Sequence, residues 1–202
     1  MKICIAGWYF RPAFFRSVYQ SGFEAFVLKH REGDTCGLPS KQYPNLGLEF
    51  GAYRQYVENH WDGESDVLFC HDDTEVATPD CFSDIARLNS IGVDQAYIFN
   101  NYSEQIVNGG VHGRALWMRG ATLLKIADNF PADMDNQGTN VGKIAQRGVL
   151  RFHARMRDLT SNTMIQVIMP QMIFGHRGHI PNEMFVYRDQ NLVSASKTLV
   201  TS

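Results

Sequence analysis

One stretch of the sequence indicates both the fold and the site, and it reads Asp66-Val67-Leu68-Phe69-Cys70-His71-Asp72-Asp73-Thr74-Glu75-Val76. Its apolar first half follows a polar turn at residues 62–65 and predicts a short buried strand. An imidazole and two carboxylates end that strand, at the edge of an open α/β sheet where ligands bind. Carboxylates crowded together repel one another unless a cation joins them, and hard divalent cations prefer oxygen ligands. The stretch therefore predicts a metal site and, with it, a ligand that carries phosphate.

The composition limits the class of protein. The chain has 202 residues, of which 44% are hydrophobic and 20% charged, as expected for one compact domain. The formal net charge is -2 and no basic tract occurs, which argues against a nucleic-acid binder. We expect no secretory signal, no transmembrane segment and a cytoplasmic location. Free thiols are predicted for the cysteines, which form no Cys-x-x-Cys pair: Cys4, Cys36, Cys70 and Cys81.

The first thirty residues have the rhythm of a parallel sheet. Lys2–Ala6 predicts a strand, Pro12 opens a helix that continues to Gln20, and Phe23–Lys29 predicts a second strand. We therefore expect an α/β fold with a central, mostly parallel sheet and helices on both faces.

The rest of the chain continues this alternation. The spacing of apolar residues predicts helices at Leu48–Trp61, 78–88, Gly120–Ala127 and Val141–Gln146, strands at Ala96–Phe99, Arg114–Met118 and Val149–Met156, and loops at 30–43, 100–113, 129–139 and 170–182.

The end of the first predicted strand, residues 6–11, is a candidate nucleotide cradle. Ala6 and Gly7 allow close approach, Trp8 can stack on a base and Arg11 can reach a phosphate. The alternative is that the aromatic residues belong to the core. No Gly-x-Gly-x-x-Gly and no Walker-type loop occurs, which argues against dinucleotide-binding and P-loop functions.

A second candidate lies late in the chain, at residues 175–179. His176 and Arg177 lie between two glycines, and His179 follows the second glycine. An imidazole can ligate a cation, and a guanidinium can bind a phosphate with two hydrogen bonds. The alternative is that these histidines only pack or form hydrogen bonds.

These motifs, in this order, resemble the core of glycosyltransferases with the GT-A fold. In that family an Asn/Gly turn opens a helix, as at residues 45–53 here, and a buried strand then ends in a metal-binding Asp-x-Asp motif. Asp73 matches the second acid of that motif and His71 stands where the first acid is expected. The resemblance implies a single GT-A-like domain in which Asp73 acts in catalysis and holds the metal, with Asp72 and, less typically, His71 beside it.

The resemblance continues downstream and implies further roles. Residues 112–120 are similar to the segment that closes over the donor sugar, so His112 and Arg114 are expected to contact the sugar or its diphosphate. Residues 133–138 are similar to the acidic loop that faces the acceptor. The late histidine element implies His176 as a metal ligand and Arg177 as a phosphate contact. The implied halves are 1–100 for the nucleotide and 101–182 for donor closure and acceptor, with a tail at 183–202.

The family also implies the reaction. A hexosyl unit would move from a nucleoside diphosphate sugar, a UDP sugar, to a hydroxyl of a glycan or glycoprotein, with Mn²⁺ or Mg²⁺. Asn45 and Arg54 are expected to contact the nucleotide; a helix cap and a solvated helix face are their alternatives. Asp133 and Asp135 are candidate bases for an inverting reaction. The sequence has Asn136-Gln137 where a Glu-Asp pair is common, which favours retention.

Two alternatives remain open. The altered acidic motif also fits a non-catalytic module that binds nucleotide sugars or glycans. A metal-dependent phosphohydrolase built on residues 71–73 is the other, although that chemistry usually needs more ligands close together. Within the family, the resemblance extends to a viral member that glycosylates a capsid protein, which would place this chain in the cytoplasm of a host cell.

Overall fold

A computed structural model describes residues 1–99, 115–132, 134, 164–168 and 172–174. The strands are β1 Lys2–Gly7, β2 Ala25–Lys29, β3 Ser40–Gln42, β4 Val67–His71, β5 Thr74–Val76, β6 Gln95–Phe99, β7 Ala115–Met118, β8 Met164–Ile168 and β9 Met172–Phe174. The α-helices are α1 Pro12–Ser21, α2 Leu48–Asn59, α3 Asp80–Ala86 and α4 Gly120–Leu124.

Seven of these strands form one sheet in the order β3-β2-β1-β4-β7-β6-β8. All neighbouring pairs are parallel except those that involve β7, which runs antiparallel to both β4 and β6. The mostly parallel sheet is therefore confirmed. A second sheet contains β5 and β9, with Thr74 opposite Phe174.

Helices cover both faces of the main sheet, as predicted. Alternate residues of each strand enter opposite clusters: Ile5 joins the cluster that contains α1 and α3, whereas Cys4 joins the cluster that contains α2. The aromatic face of α2 is core, since Phe50, Tyr53 and Tyr56 are at most 2% exposed. This double cover explains why the central strands are apolar on both faces.

Several boundaries differ from the sequence-based expectations. The helix predicted to reach Leu88 ends at Ala86 and continues as a 3-10 helix, Arg87–Ile91. The helix predicted at Gly120–Ala127 ends at Leu124, and a 3-10 helix follows at Ala127–Asn129. Strands β3 and β9 lie inside predicted loops, because three residues are too few to show a period. The helix predicted at 141–146 and the strand predicted at 149–156 lie outside the described residues, as do most of the loop residues 100–113 and 129–139.

The cysteines are unlinked, in agreement with the sequence-based prediction. Cys4, Cys70 and Cys81 are buried free thiols, and Cys36 is half-buried and also free. Within the described ranges, none of the helices has the length and apolar character needed to span a bilayer.

Candidate active site at the end of the first and fourth strands

The sheet changes direction of winding at β1. The chain passes from β1 to β2 on one side, and β4 pairs with β1 on the other, with Ala6 opposite both Leu28 and His71. Outside the carboxyl ends of two such strands the connections diverge and leave a crevice, which is where open α/β sheets bind ligands. The backbone amide of Asp72 bonds to the carbonyl of Ala6 at 3.2 Å and ties the two strand ends together.

The acidic motif lies at this crevice, as the sequence predicted. His71 is the last residue of β4, and Asp72 and Asp73 form the turn into β5. Both carboxylates belong to residues that are 0% exposed. The Nδ1 atom of His71 lies 3.8 Å from Oδ1 of Asp73, an ion pair when the imidazole is protonated. Two adjacent buried carboxylates are costly unless hydrogen bonds, a proton or a cation compensate their charge.

Asp72 is compensated in part by backbone amides. Its Oδ2 accepts hydrogen bonds from the amides of Trp8 at 2.9 Å, Tyr9 at 2.8 Å and Phe10 at 2.5 Å. Its Oδ1 is buried and has no hydrogen-bond partner among the described residues. Burial raises the pKa of this carboxyl, and the three amides oppose that rise. One oxygen is thus committed to the neighbouring loop, and the other remains available.

Residues 8–11 join β1 to α1 and are called here the β1–α1 loop. This loop donates the hydrogen bonds that Asp72 accepts. Phe10 has a φ of 55°, which is unusual for a residue with a bulky side chain. Its ring packs so close to Gly33 that a Cβ there would lie 2.2 Å from it. The Nε of Arg31 donates to the carbonyl of Trp8, and its guanidinium carbon lies 5.3 Å from the centre of the Trp8 ring. The conformation of this loop is therefore held from several sides.

The β1–α1 loop also carries two of the predicted ligand contacts. Trp8 is 41% exposed, so the reading that all three aromatic residues are core is wrong for this one. Arg11 is half-buried, precedes the first residue of α1, and makes no side-chain hydrogen bond or ion pair within residues 1–99. Ala6 and Gly7 are buried at the end of β1, where a Cβ on Gly7 would lie 2.9 Å from Cγ1 of Val27. Gly7 therefore serves close packing against β2.

Two other predicted contacts lie at α2. Asn45 is half-buried in the loop before the helix, and Gly47 precedes the first turn with a φ of 74°. The Nε of Arg54 pairs with Oε1 of Glu58 at 2.6 Å along the helix. This geometry is that of the solvated helix face which the sequence left as the alternative for Arg54.

The sequence-based search missed the residues after β2. The amide of His30 bonds to the carbonyl of Gly7 at 3.0 Å, which places His30 and then Arg31 at the same sheet edge. The Nε2 atom of His30 is buried without a hydrogen-bond partner in the described part of the chain. Burial lowers the pKa of His30 to about 4. The sequence signal for these two residues is that β2 runs parallel to β1, because parallel strands end at the same edge of a sheet.

The remaining predicted site residues lie outside the described residues: His112, Arg114, Asp133, Asp135, His176 and Arg177. Among the residues that are described, no three His, Cys, Asp or Glu side chains are grouped so as to hold a metal ion. The described part brings Asp72, Asp73 and His71 together at the end of β4, and the ligand roles of these three and of the other six residues stay predictions.

Comparisons with known proteins place the fold. No protein-family model matches the sequence, and no curated protein is similar to it in sequence. A glycosyltransferase involved in the glycosylation of the major capsid of PBCV-1 is similar in structure, with a TM-score of 0.54 and 10% identity over 92% of this chain and 97% of that one. The resemblance to glycosyltransferases inferred from the sequence is thus matched at the level of the fold.

Two further solved structures share the fold. Staphylococcus aureus TarS matches with a TM-score of 0.50 and 11% identity over 92% of this chain. The chain spans 55% of the TarS 1-349 fragment and 38% of the longer TarS chain. The 4-diphosphocytidyl-2C-methyl-D-erythritol synthase of Anaerococcus prevotii matches with a TM-score of 0.50 and 6% identity over 95% of this chain and 97% of that one. The chain therefore has a single α/β domain of the GT-A type, a fold that also serves a diphosphocytidyl synthase.

Proposed function

We propose that this chain is a metal-dependent glycosyltransferase that moves a hexosyl unit from a UDP sugar to a hydroxyl of a glycan or glycoprotein. One observation carries the proposal: two buried, adjacent carboxylates lie at the end of β4 beside β1, and one of them, Asp72, accepts hydrogen bonds from the β1–α1 loop. The resemblance to GT-A glycosyltransferases supports the choice of reaction over others that this fold accommodates. A cytoplasmic location, and a viral capsid glycan as the acceptor, belong to the same proposal.

The residues present fit a divalent cation, Mn²⁺ or Mg²⁺. The buried Oδ1 of Asp72 has no hydrogen-bond partner in the described ranges, and the neighbouring Asp73 adds further carboxylate oxygens. The family resemblance implies His176 as a further ligand of this cation. When bound, the cation would neutralise charge on the diphosphate.

The chain's own residues would bind and orient the donor. Arg11 is a half-buried cation with no described partner, suited to a phosphate. The exposed Trp8 offers an aromatic face to the base. Asn45, His112, Arg114 and Arg177 complete the proposed donor contacts, as the family resemblance implies.

The stereochemical course proposed is retention. An inverting reaction needs a carboxylate that removes the proton of the attacking hydroxyl, for which Asp133 and Asp135 are the candidates. The absent Glu-Asp pair at residues 136–137 favours a reaction without such a base. Exchange of both aspartates for asparagine tests this: retention predicts that turnover persists.

A panel of nucleotide sugars with Mn²⁺ tests the proposed function, with release of the nucleoside diphosphate as the readout. We expect slow hydrolysis of one UDP sugar that stops when EDTA is added. Donor binding without turnover on a broad acceptor panel would favour the non-catalytic module, and release of inorganic phosphate from simple esters would favour the phosphohydrolase.

The similarity to the diphosphocytidyl synthase adds one more arm to this assay. That enzyme covers nearly the same length as this chain and has the same fold. Incubation with CTP or UTP and a panel of sugar phosphates, read by release of pyrophosphate, separates nucleotidyl transfer from glycosyl transfer. Pyrophosphate release without nucleoside diphosphate release would replace our proposal.

A further inference from the structure

The contacts of Asp72 point to a role that the family motif does not assign to it. Three successive amides, those of Trp8, Tyr9 and Phe10, converge on a single oxygen at 2.9, 2.8 and 2.5 Å. Successive backbone amides that face one point form an anion-binding concavity, of the kind that holds phosphate in other proteins. Here the anion is the chain's own carboxylate, supplied from the end of β4.

This occupancy has a consequence for the donor. The three amides are already used by Asp72, so they are not available to the phosphates of a donor. The amides compensate part of the charge of Asp72, whose residue is 0% exposed, and bonds to a charged acceptor are stronger than those to a neutral one.

The β1–α1 loop needs such an anchor because its conformation is not the one its residues prefer. Phe10 lies in the left-handed region with a φ of 55°, and a strained residue persists only where its surroundings over-determine it. Two further contacts hold the same segment. The Phe10 ring packs against Gly33, and Arg31 donates a hydrogen bond to the Trp8 carbonyl at the opposite end. Removal of the Asp72 carboxylate leaves three amides without their acceptor.

We propose that Asp72 is a positioning residue: through Oδ2 it fixes the β1–α1 loop and so sets the places of Trp8 and Arg11, independently of any metal bound at Oδ1. This role deepens the proposed function in its ligand-binding part, and the loop-fixing part stands without it. A pure metal ligand would act only when the cation is present, and a positioning residue acts also in its absence.

Amide hydrogen exchange tests the loop-fixing part on the full chain without any ligand. We compare wild type with Asp72→Ala, with Asp72→Asn and with the control Asp84→Ala, which changes an exposed carboxylate on α3 whose partner in the described part of the chain is Arg87. In Asp72→Ala the amides of residues 8–10 should exchange about tenfold faster or more. Asp72→Asn keeps an acceptor oxygen and should restore most of the protection, and Asp84→Ala should leave it unchanged.

Unchanged exchange of residues 8–10 in a folded Asp72→Ala variant would overturn the proposal. Should that variant fail to fold, the wild-type protein still decides. If the amides of residues 8–10 exchange fast in wild type, the proposal is overturned. If they exchange slowly both in wild type and in Asp72→Asn, the proposal is supported.

A binding experiment tests the ligand-positioning part. Calorimetry measures the affinity for uridine, a nucleoside without phosphate, in the presence of EDTA to remove any metal. We expect Asp72→Ala to weaken uridine binding about tenfold, with Asp72→Asn within about threefold of wild type. Equal uridine affinity in wild type and Asp72→Ala would show that Asp72 does not position the site. Absence of uridine binding in wild type would instead count against the proposed UDP donor, and the exchange data would still decide the loop-fixing part.

Discussion

Two acidic groups flank β4, one before the strand and one after it, and they differ in how their charge is balanced. Before the strand, Asp62 pairs with Lys2 at 3.3 Å and accepts hydrogen bonds from Glu64 and Ser65. After it, Asp72 and Asp73 are fully buried, and one oxygen of Asp72 has no described partner. The residue type is the same on both sides, so the difference in compensation is what identifies the site.

Asp66, the residue directly before the strand, shows the same contrast. Oδ1 of Asp66 accepts a hydrogen bond from the amide of Gly120 at 2.8 Å, at the start of α4. That bond holds the junction of β7 and α4 at the end of β4 that is opposite to the candidate site. The acids before β4 thus only hold the structure together, whereas Asp72 after it combines such a contact through Oδ2 with a second, buried oxygen that has no partner among the described residues.

The largest expected effect comes from removing the charge of Asp73. In Asp73→Asn we expect release of the nucleoside diphosphate to fall about a hundredfold or more, because an amide oxygen cannot balance a cation as a carboxylate does. Titration of Mn²⁺ by calorimetry should show the same loss. The matched control Asp66→Asn keeps its acceptor oxygen and should retain full activity; equal losses in both variants would erase the contrast between the two groups.

The second effect concerns pH and His30 at the site edge. Burial lowers the pKa of His30 to about 4, from an ordinary value of 6.5. The unfolded chain therefore binds a proton at His30 more readily than the folded chain does. Above pH 6.5 His30 is neutral in both states and costs no stability. As the pH falls from 6.5 toward 4, protonation of the unfolded chain lowers the free energy of unfolding. Between about pH 7 and pH 5 this loss amounts to about 2 kcal/mol of unfolding free energy.

Urea unfolding of wild type and His30→Gln at these two pH values measures that difference. The variant has no imidazole to protonate, so its stability should fall less on acidification than that of wild type. Equal losses in the two proteins would mean that His30 is not buried as a neutral group.

A third comparison sets Arg11 against Arg54. Arg11→Gln should weaken binding of the UDP sugar about tenfold, since one charge-assisted contact to phosphate is lost. Arg54→Gln removes only the ion pair with Glu58 and should leave affinity within about twofold, with a stability change of about 0.5 kcal/mol or less. Calorimetry with the same donor measures both, and a larger effect at Arg54 would restore it as a nucleotide contact.

The smallest effect is expected at Asp62. Desolvation raises its pKa, but hydrogen bonds from Ser65 and Glu64, together with Lys2, hold the pKa of this carboxyl well below its usual range. Its stabilisation is therefore present above the ordinary carboxyl pKa and is lost as the pH falls below about 4. Asp62→Asn should cost less than about 1 kcal/mol near neutral pH in urea unfolding, because the group is largely solvated.

The sequence predicts the fold well where the apolar pattern is long enough. The apolar approach of β4 and the aromatic spacing of α2 indicate a buried strand and a packed helix, and both are confirmed. Strand β3 could not be predicted, because all of its three residues are exposed and its pairing with β2 is a property of the assembled sheet.

The site is predicted in position but not in detail. The placement of Asp72 and Asp73 at a strand end follows from the local pattern, whereas the hydrogen bond that the Trp8 amide donates to Asp72 joins residues 64 apart along the chain. Contacts between side chain and backbone at that separation have no periodic signature in a sequence. The same holds for Arg31, whose contact with Trp8 depends on where two loops meet.

The antiparallel strand β7, which completes the pairing of β4 in the main sheet, has a consequence for synthesis. Because β7 is the partner of β4, Phe69 meets Leu116 only after the intervening residues have left the ribosome. Until then β4 is an apolar edge strand of a nascent sheet that also contains β1, β2 and β3. An edge strand with unpaired backbone groups readily pairs with other chains. A pause in translation between the two strands would therefore be the moment of greatest aggregation risk, and a chaperone that covers β4 then should raise the yield of folded protein.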